Sequence, residues 1–102
     1  MPDYLFAYHG VNMPENREEG IKYMTEFVAW IEALGDIVVN PGTPLGMSKT
    51  VKSGGAAEDT GANRLTGFSM VRTDSMDAAV AIAKTCPYLN IGTVEVAEVK
   101  EL

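Results

Sequence analysis

Residues 4–9, Tyr-Leu-Phe-Ala-Tyr-His, constrain the fold more than any other part of the chain. The run is short, aromatic and aliphatic, and is followed by the turn signal Gly10, which reads as a β-strand. Side chains alternate between the two faces of a strand. Tyr4, Phe6 and Tyr8 therefore share one side, and Leu5, Ala7 and His9 the other. Neither side is polar. An antiparallel sheet that meets water on one face normally shows a polar pattern there, so this strand calls for cover on both faces. Residues 67–72 (GFSMVR) raise the same demand, with Phe68 and Met70 alternating against Ser69 and Val71.

A helical pattern follows the first strand, over residues 14–34. At about 100° per residue, Ile21, Met24, Val28 and Ile31 form one stripe, with Tyr23, Phe27, Trp30 and Leu34 beside it. The apolar arc takes in about half the circumference, wider than one sheet face requires. Glu15, Glu18 and Glu19 suit the positive end of the helix dipole, and Gly35 takes the usual position after a helix end. Ile37-Val38-Val39 then reads as a short buried strand, stopped by Pro41-Gly42 and Pro44. Residues 42–65 are rich in Gly, Ser, Thr and Asn. Only Thr50-Val51-Lys52 has extended character, and Gly54-Gly55 marks a turn. Such a segment reads as a surface hairpin, and its length also makes it a place to look for function. Asp74 or Ser75 can cap a second helix over residues 76–85, with Met76, Ala79, Val80 and Ala83 as its stripe and Cys86-Pro87 as its end. Residues 93–99 (TVEVAEV) give the last strand.

The order β-α-β-β-α-β predicts one α+β domain over residues 1–102, ferredoxin-like, with an antiparallel sheet and two helices on one face. The helices leave a second apolar sheet face open. A symmetric partner is the expected cover, giving a homodimer joined sheet to sheet, a dimeric α+β barrel.

Charge narrows the partners. The chain carries 14 acidic and 8 basic residues, a formal net charge of −6. Nucleic-acid affinity rests on Lys and Arg neutralising phosphates, and anionic membranes make the same demand, so neither is an expected partner. No stretch approaches the roughly 20 apolar residues of a membrane span. No secretory pattern follows Met1-Pro2-Asp3, and the single cysteine, Cys86, allows no intrachain disulfide. A cytoplasmic location is the expectation. One His and one Cys cannot supply a three- or four-ligand transition-metal site within one chain. No phosphate-binding loop, dinucleotide fingerprint or G-x-S-x-G is present, so no metal or cofactor is expected.

His9, the only imidazole, sits at a strand end and is the candidate general base. The sequence identifies no acid beside it. Cys86 lies at a helix C-terminus, where the dipole opposes a thiolate, and reads as a buried structural thiol. Tyr23, Phe27 and Trp30 on the first helix, with Tyr8 and Phe68 on strands, can line a small-molecule cleft, since such clefts are mostly apolar. The same residues also serve as ordinary core and dimer packing. Lys49, Lys52 and Arg64 can draw an anion to the mouth of such a cleft, or be solvated loop charges.

The runs Gly67-Phe68-Ser69-Met70-Val71, Asp74-Ser75-Met76-Asp77-Ala78-Ala79, Ala83-Lys84-Thr85-Cys86-Pro87 and Gly92-Thr93-Val94-Glu95-Val96 resemble YCII-related (DGPF-containing) proteins. The resemblance implies a dimeric α+β barrel. It also points to a histidine on the first helix and an aspartate before the proline ending the second, viewed in some members as a catalytic pair. Those positions hold Met24 and Cys86 here, and Gly55-Ala56-Ala57-Glu58-Asp59-Thr60 stands where the DGPF stretch belongs. Two function classes follow. One is a small-molecule binding or accessory protein, which the missing pair favours. The other is a cofactor-free enzyme of lyase or isomerase type, moving a proton with His9 as base.

Overall fold

Alternation along the first strand decides which side of the sheet becomes the core. The computed structural model describes residues 1–10, 16–58 and 64–100. Its elements in chain order are β1 (Asp3–His9), α1 (Arg17–Leu34), β2 (Val38–Asn40), β3 (Lys49–Lys52), β4 (Gly55–Glu58), β5 (Leu65–Arg72), α2 (Met76–Ala83) and β6 (Thr93–Glu98). Short 3₁₀ turns occupy Gly35–Ile37 and Pro87–Asn90. The main sheet runs β2-β5-β1-β6, antiparallel at every junction, which is the ferredoxin-like α+β order.

β1 lies inside this sheet and buries Tyr4, Phe6 and Tyr8 on the helix side. Phe6 stands opposite Ser69 on β5 and Val96 on β6, and Tyr4 stands opposite Val71. Tyr4, Phe6, Tyr8 and Val71 form the core with Ala79, Ala83 and Cys86, and Phe27, Trp30, Leu34, Ile82, Tyr88, Val94 and Val96 pack against it. Leu5 pairs with Met70 and Ala7 with Phe68 on the opposite face, where all four are half-buried. The middle of that face is apolar, and it is flanked by the Asp3–Arg72 ion pair at one end and the His9–Glu95 contact at the other.

Capping fixes both helices. The Asn16 side chain accepts from the Glu19 N–H at 2.9 Å, and Glu18 and Glu19 sit in the first turn of α1. The expected start at residues 14–15, Glu15 included, lies outside the described residues. Ser75 caps α2, accepting from the Ala78 N–H at 3.1 Å. α2 ends at Ala83, two residues before the expected end, because the Thr85 and Cys86 N–H groups reach back three residues to Ile82 and Ala83 and tighten the last turn. On α1 Phe27, Trp30 and Leu34 pack against the core. Ile21, Met24 and Val28 stay 56, 52 and 46% exposed, which is where the surplus width of the apolar arc went.

The segment after β2 carries a surface hairpin. β3 and β4 form a two-stranded hairpin, Lys49 opposite Glu58 and Lys52 opposite Gly55, with all eight residues exposed. Its base is tied to β5 by a bridge between Pro44 and Gly67. Gly42 has φ +80°, and a Cβ there would lie 1.5 Å from the Phe68 carbonyl oxygen, so only glycine fits this approach. Among the described residues no helix is long and apolar enough to cross a membrane.

Phe6 is fully buried at the centre of the sheet. Phe6→Ala is expected to lower unfolding free energy by about 3–5 kcal/mol, measured by urea denaturation; a loss below about 1 kcal/mol would contradict this placement of the core.

Candidate functional site

Where the first half of α1 leans over the end of the sheet, the helix and sheet do not close on each other. A cavity of about 240 Å³ remains, bounded by α1, the turn Pro41-Gly42-Thr43-Pro44, the start of β5 and the Pro87–Ile91 segment. Its walls are aromatic. Tyr8 forms one side, with Phe27 edge-on at 5.4 Å and 87° and Tyr88 tilted against it at 5.2 Å. Tyr23 and Met24 stand on the helix side. Among the described residues none of the lining side chains carries a charge.

The polar groups of this region are tied to one another. The Tyr8 hydroxyl donates to Ser69 Oγ at 2.8 Å, and Ser69 donates to the Pro41 carbonyl at 2.8 Å. Burial drives the Tyr8 phenol far above its ordinary pKa, although the bond to Ser69 opposes this. Thr66 Oγ1 donates to the Tyr8 carbonyl at 3.1 Å and lies 2.5 Å from the Tyr88 hydroxyl. These bonds lock the aromatic wall to the ends of β1 and β5.

The structure brings Tyr8, Tyr23 and Phe27 together at the cavity. Phe68 borders it where its carbonyl approaches Gly42, while its register opposite Ala7 puts its side chain on the other sheet face. Trp30 is not in the lining. It stacks over Phe6 at 6.4 Å and against Phe27 at 5.7 Å, and its indole N–H donates to Thr85 Oγ1 at 2.8 Å, so it braces the wall from behind. Met24 lines the cavity, whereas Cys86 lies in the core. Lys49, Lys52 and Arg64 are not in the lining. Thr66 and Tyr88 were not singled out by sequence. The signal for Tyr88 was its place directly after the helix-ending Pro87; nothing local marks Thr66.

His9 is not in the cavity lining. It shares a face with Leu5 and Ala7, one residue out of phase with Tyr8, and so it looks away from the cavity. On that open face its Nε2 lies 2.9 Å from Glu95 Oε1, the acid that sequence did not identify. The pairing arises because His9 stands opposite Thr93 and Ala7 opposite Glu95, which sets the His9 and Glu95 side chains diagonally on one face.

A ferredoxin-like sheet with two helices on one face places the chain among the α+β folds of the dimeric α+β barrel type. The model for the YCII-related domain matches residues 4–102, and the chain belongs to that family. In fold it is similar to 5-chloro-2-hydroxyhydroquinone dehydrochlorinase (TftG) from Burkholderia phenoliruptrix AC1100, solved in complex with 2,5-dihydroxybenzoquinone. The TM-score is 0.61 at 14% identity, covering 98% of this chain and 95% of that one. No curated protein matches the chain in sequence.

Burial pushes the Cys86 thiol up to about 11, although the Tyr88 backbone N–H bonded to it opposes the rise. The folded chain therefore holds this proton more tightly than the unfolded chain does. The stabilisation is complete below the ordinary thiol value of 9.0 and is lost as pH rises through about 11. Urea midpoints are expected to fall over that range, and less steeply in Cys86→Ala. Native labelling by a thiol reagent at neutral pH is expected to be slow and unfolding-limited; rapid labelling would contradict the buried placement.

Proposed function

We propose that the chain is a small-molecule binding or accessory protein whose ligand is an uncharged, flat, largely apolar compound held between α1 and the end of the sheet. The observation that carries this reading is the cavity of about 240 Å³ with aromatic walls and no charged lining side chain. An apolar cavity of about 150 Å³ suffices for benzene, so the space suits one ring or two fused rings. The single-ring compound bound by the dehydrochlorinase of similar fold agrees with that size. The working unit is a cytoplasmic homodimer, with Leu5, Ala7, Phe68 and Met70 of two copies meeting sheet to sheet. Neither nucleic acid nor membrane is a partner of so acidic a chain.

A second reading, a cofactor-free lyase or isomerase with His9 as base, is favoured by one contact. Glu95 stands 2.9 Å from His9 Nε2 and can hold the imidazole in one tautomer and orientation. In the sheet-paired dimer that chemistry would take place between the sheets, apart from the α1 cavity. His9→Gln would then cut the rate by roughly a hundredfold and leave binding in the α1 cavity unchanged.

Neutral one- and two-ring aromatics are expected to raise the melting temperature, a ligand at a hundred times its Kd adding about 2.7 kcal/mol. Met24→Arg, at a half-exposed position on the rim, is expected to keep the fold and abolish the gain. No rise with any such compound would overturn the reading. Light scattering at about 100 µM, far above the Kd of even modest interfaces, is expected to give twice the 11.0 kDa chain mass. Met70→Glu should return it to the monomer value; a monomer in the unsubstituted protein would refute the dimer.

A further inference from the structure

The cavity is short of hydrogen-bond donors, and this follows from where each hydroxyl proton goes. A threonine hydroxyl has one proton, and that of Thr66 is committed to the Tyr8 carbonyl at 3.1 Å. The contact of 2.5 Å between Thr66 Oγ1 and the Tyr88 hydroxyl therefore needs its proton from Tyr88. The Tyr88 oxygen is left with lone pairs only. Tyr8 is in the same position, its proton given to Ser69 and that of Ser69 to the Pro41 carbonyl. Thr43 Oγ1 turns its proton toward the Pro44 carbonyl at 3.4 Å.

The backbone adds little. Pro41, Pro44 and Pro87, all in the lining, have no N–H to give. The Gly42 N–H is taken by Asn40 Oδ1 at 2.8 Å, and those of Gly20 and Ile91 by the Asn16 and Tyr88 carbonyls. Tyr23, half-buried on α1, is the lining hydroxyl whose direction no bond among the described residues fixes, so it does not discriminate.

Building on the cavity reading above, we infer that this site selects an aromatic hydrogen-bond donor, a neutral phenol, whose O–H is accepted by Tyr88 Oη while Thr66 holds Tyr88 in that role. A methyl ether of the same ring brings no proton to the Tyr88 oxygen. A carboxylate brings lone pairs and charge to a wall with no cation. Both should bind more weakly than the phenol. Thr66 is a specificity-determining residue that never needs to touch the ligand: without it the Tyr88 proton is released, and the same hydroxyl can serve ligands that only accept.

The test uses 2-naphthol, 2-methoxynaphthalene and 2-naphthoate as probes, with affinities from calorimetry on the full chain at pH 7. The phenol is expected to bind about threefold to tenfold more tightly than its methyl ether, the worth of one ordinary hydrogen bond, and the carboxylate most weakly. Tyr88→Phe should bring the phenol down to the level of the ether without weakening the ether. Thr66→Val should raise the affinity of the ether and narrow the gap, with circular dichroism confirming the fold of both variants. Equal binding of phenol and ether, or a preference that survives Tyr88→Phe, overturns this inference and leaves the cavity reading standing. No binding of any probe overturns both.

Discussion

Three rings on one face of β1 are clamped between the sheet and the helices, and the placement of every other group depends on them. Tyr4, Phe6 and Tyr8 are buried because β1 is paired on both edges, by β5 and β6, and covered on one side by both helices. Burying three such side chains supplies several kcal/mol of the hydrophobic stabilisation. It also admits only one phase of the strand, since a slip of one residue would send all three to the other face. That phase puts Tyr8 at the cavity and His9 on the opposite side. One alternation thus separates the ligand-sized space from the only imidazole.

The cavity exists because α1 is held off the sheet at its N-terminal half. Farther along, Trp30 and Leu34 close onto the core, with the Trp30 indole anchored to Thr85. Nearer the start, Tyr23 and Met24 line the cavity together with the turn that carries Gly42 and the segment after Pro87. Gly42 lets that turn approach the Phe68 carbonyl more closely than any side chain would allow. The Ser69-to-Pro41 hydrogen bond then joins the turn to the buried phenol of Tyr8. The wall is tied by hydrogen bonds at Tyr8, Thr66 and Tyr88 and half-exposed at the α1 rim, where Met24 stands.

Much of this was written in local patterns. The period-two runs at β1 and β5 and the period-3.6 stripe of α1 gave the element order, and that order admits few topologies. Asn16 was missed as a cap and Ser75 was named as one alternative, and the Gly54-Gly55 turn marked a hairpin whose two strands were only half visible. Alternation also assigned His9 to the face of Leu5 and Ala7. What alternation cannot say is which face the helices cover, because both faces of β1 carry apolar residues, so the side of the sheet on which His9 would stand was not legible. Trp30 reads like a cleft residue because its stripe is right; only its distance along the helix takes it behind Phe27. Thr66 and Glu95 were illegible for a common reason. Each acquires its role from a residue more than fifty positions away, Tyr8 and His9 respectively, and no local periodicity records such a meeting.

The account stands on ligand binding at the helix side of the sheet, and chemical-shift mapping tests that most directly. Titrating 2-naphthol into isotopically labelled protein is predicted to move the amide resonances of Tyr23, Gly42, Thr66 and Tyr88 together with one saturating Kd, while those of Ala7, Glu95 and Ala97 stay in place. Saturating shifts confined to the open face around His9 and Glu95, with the α1 side silent, would contradict the account and transfer the functional site to the other side of the sheet.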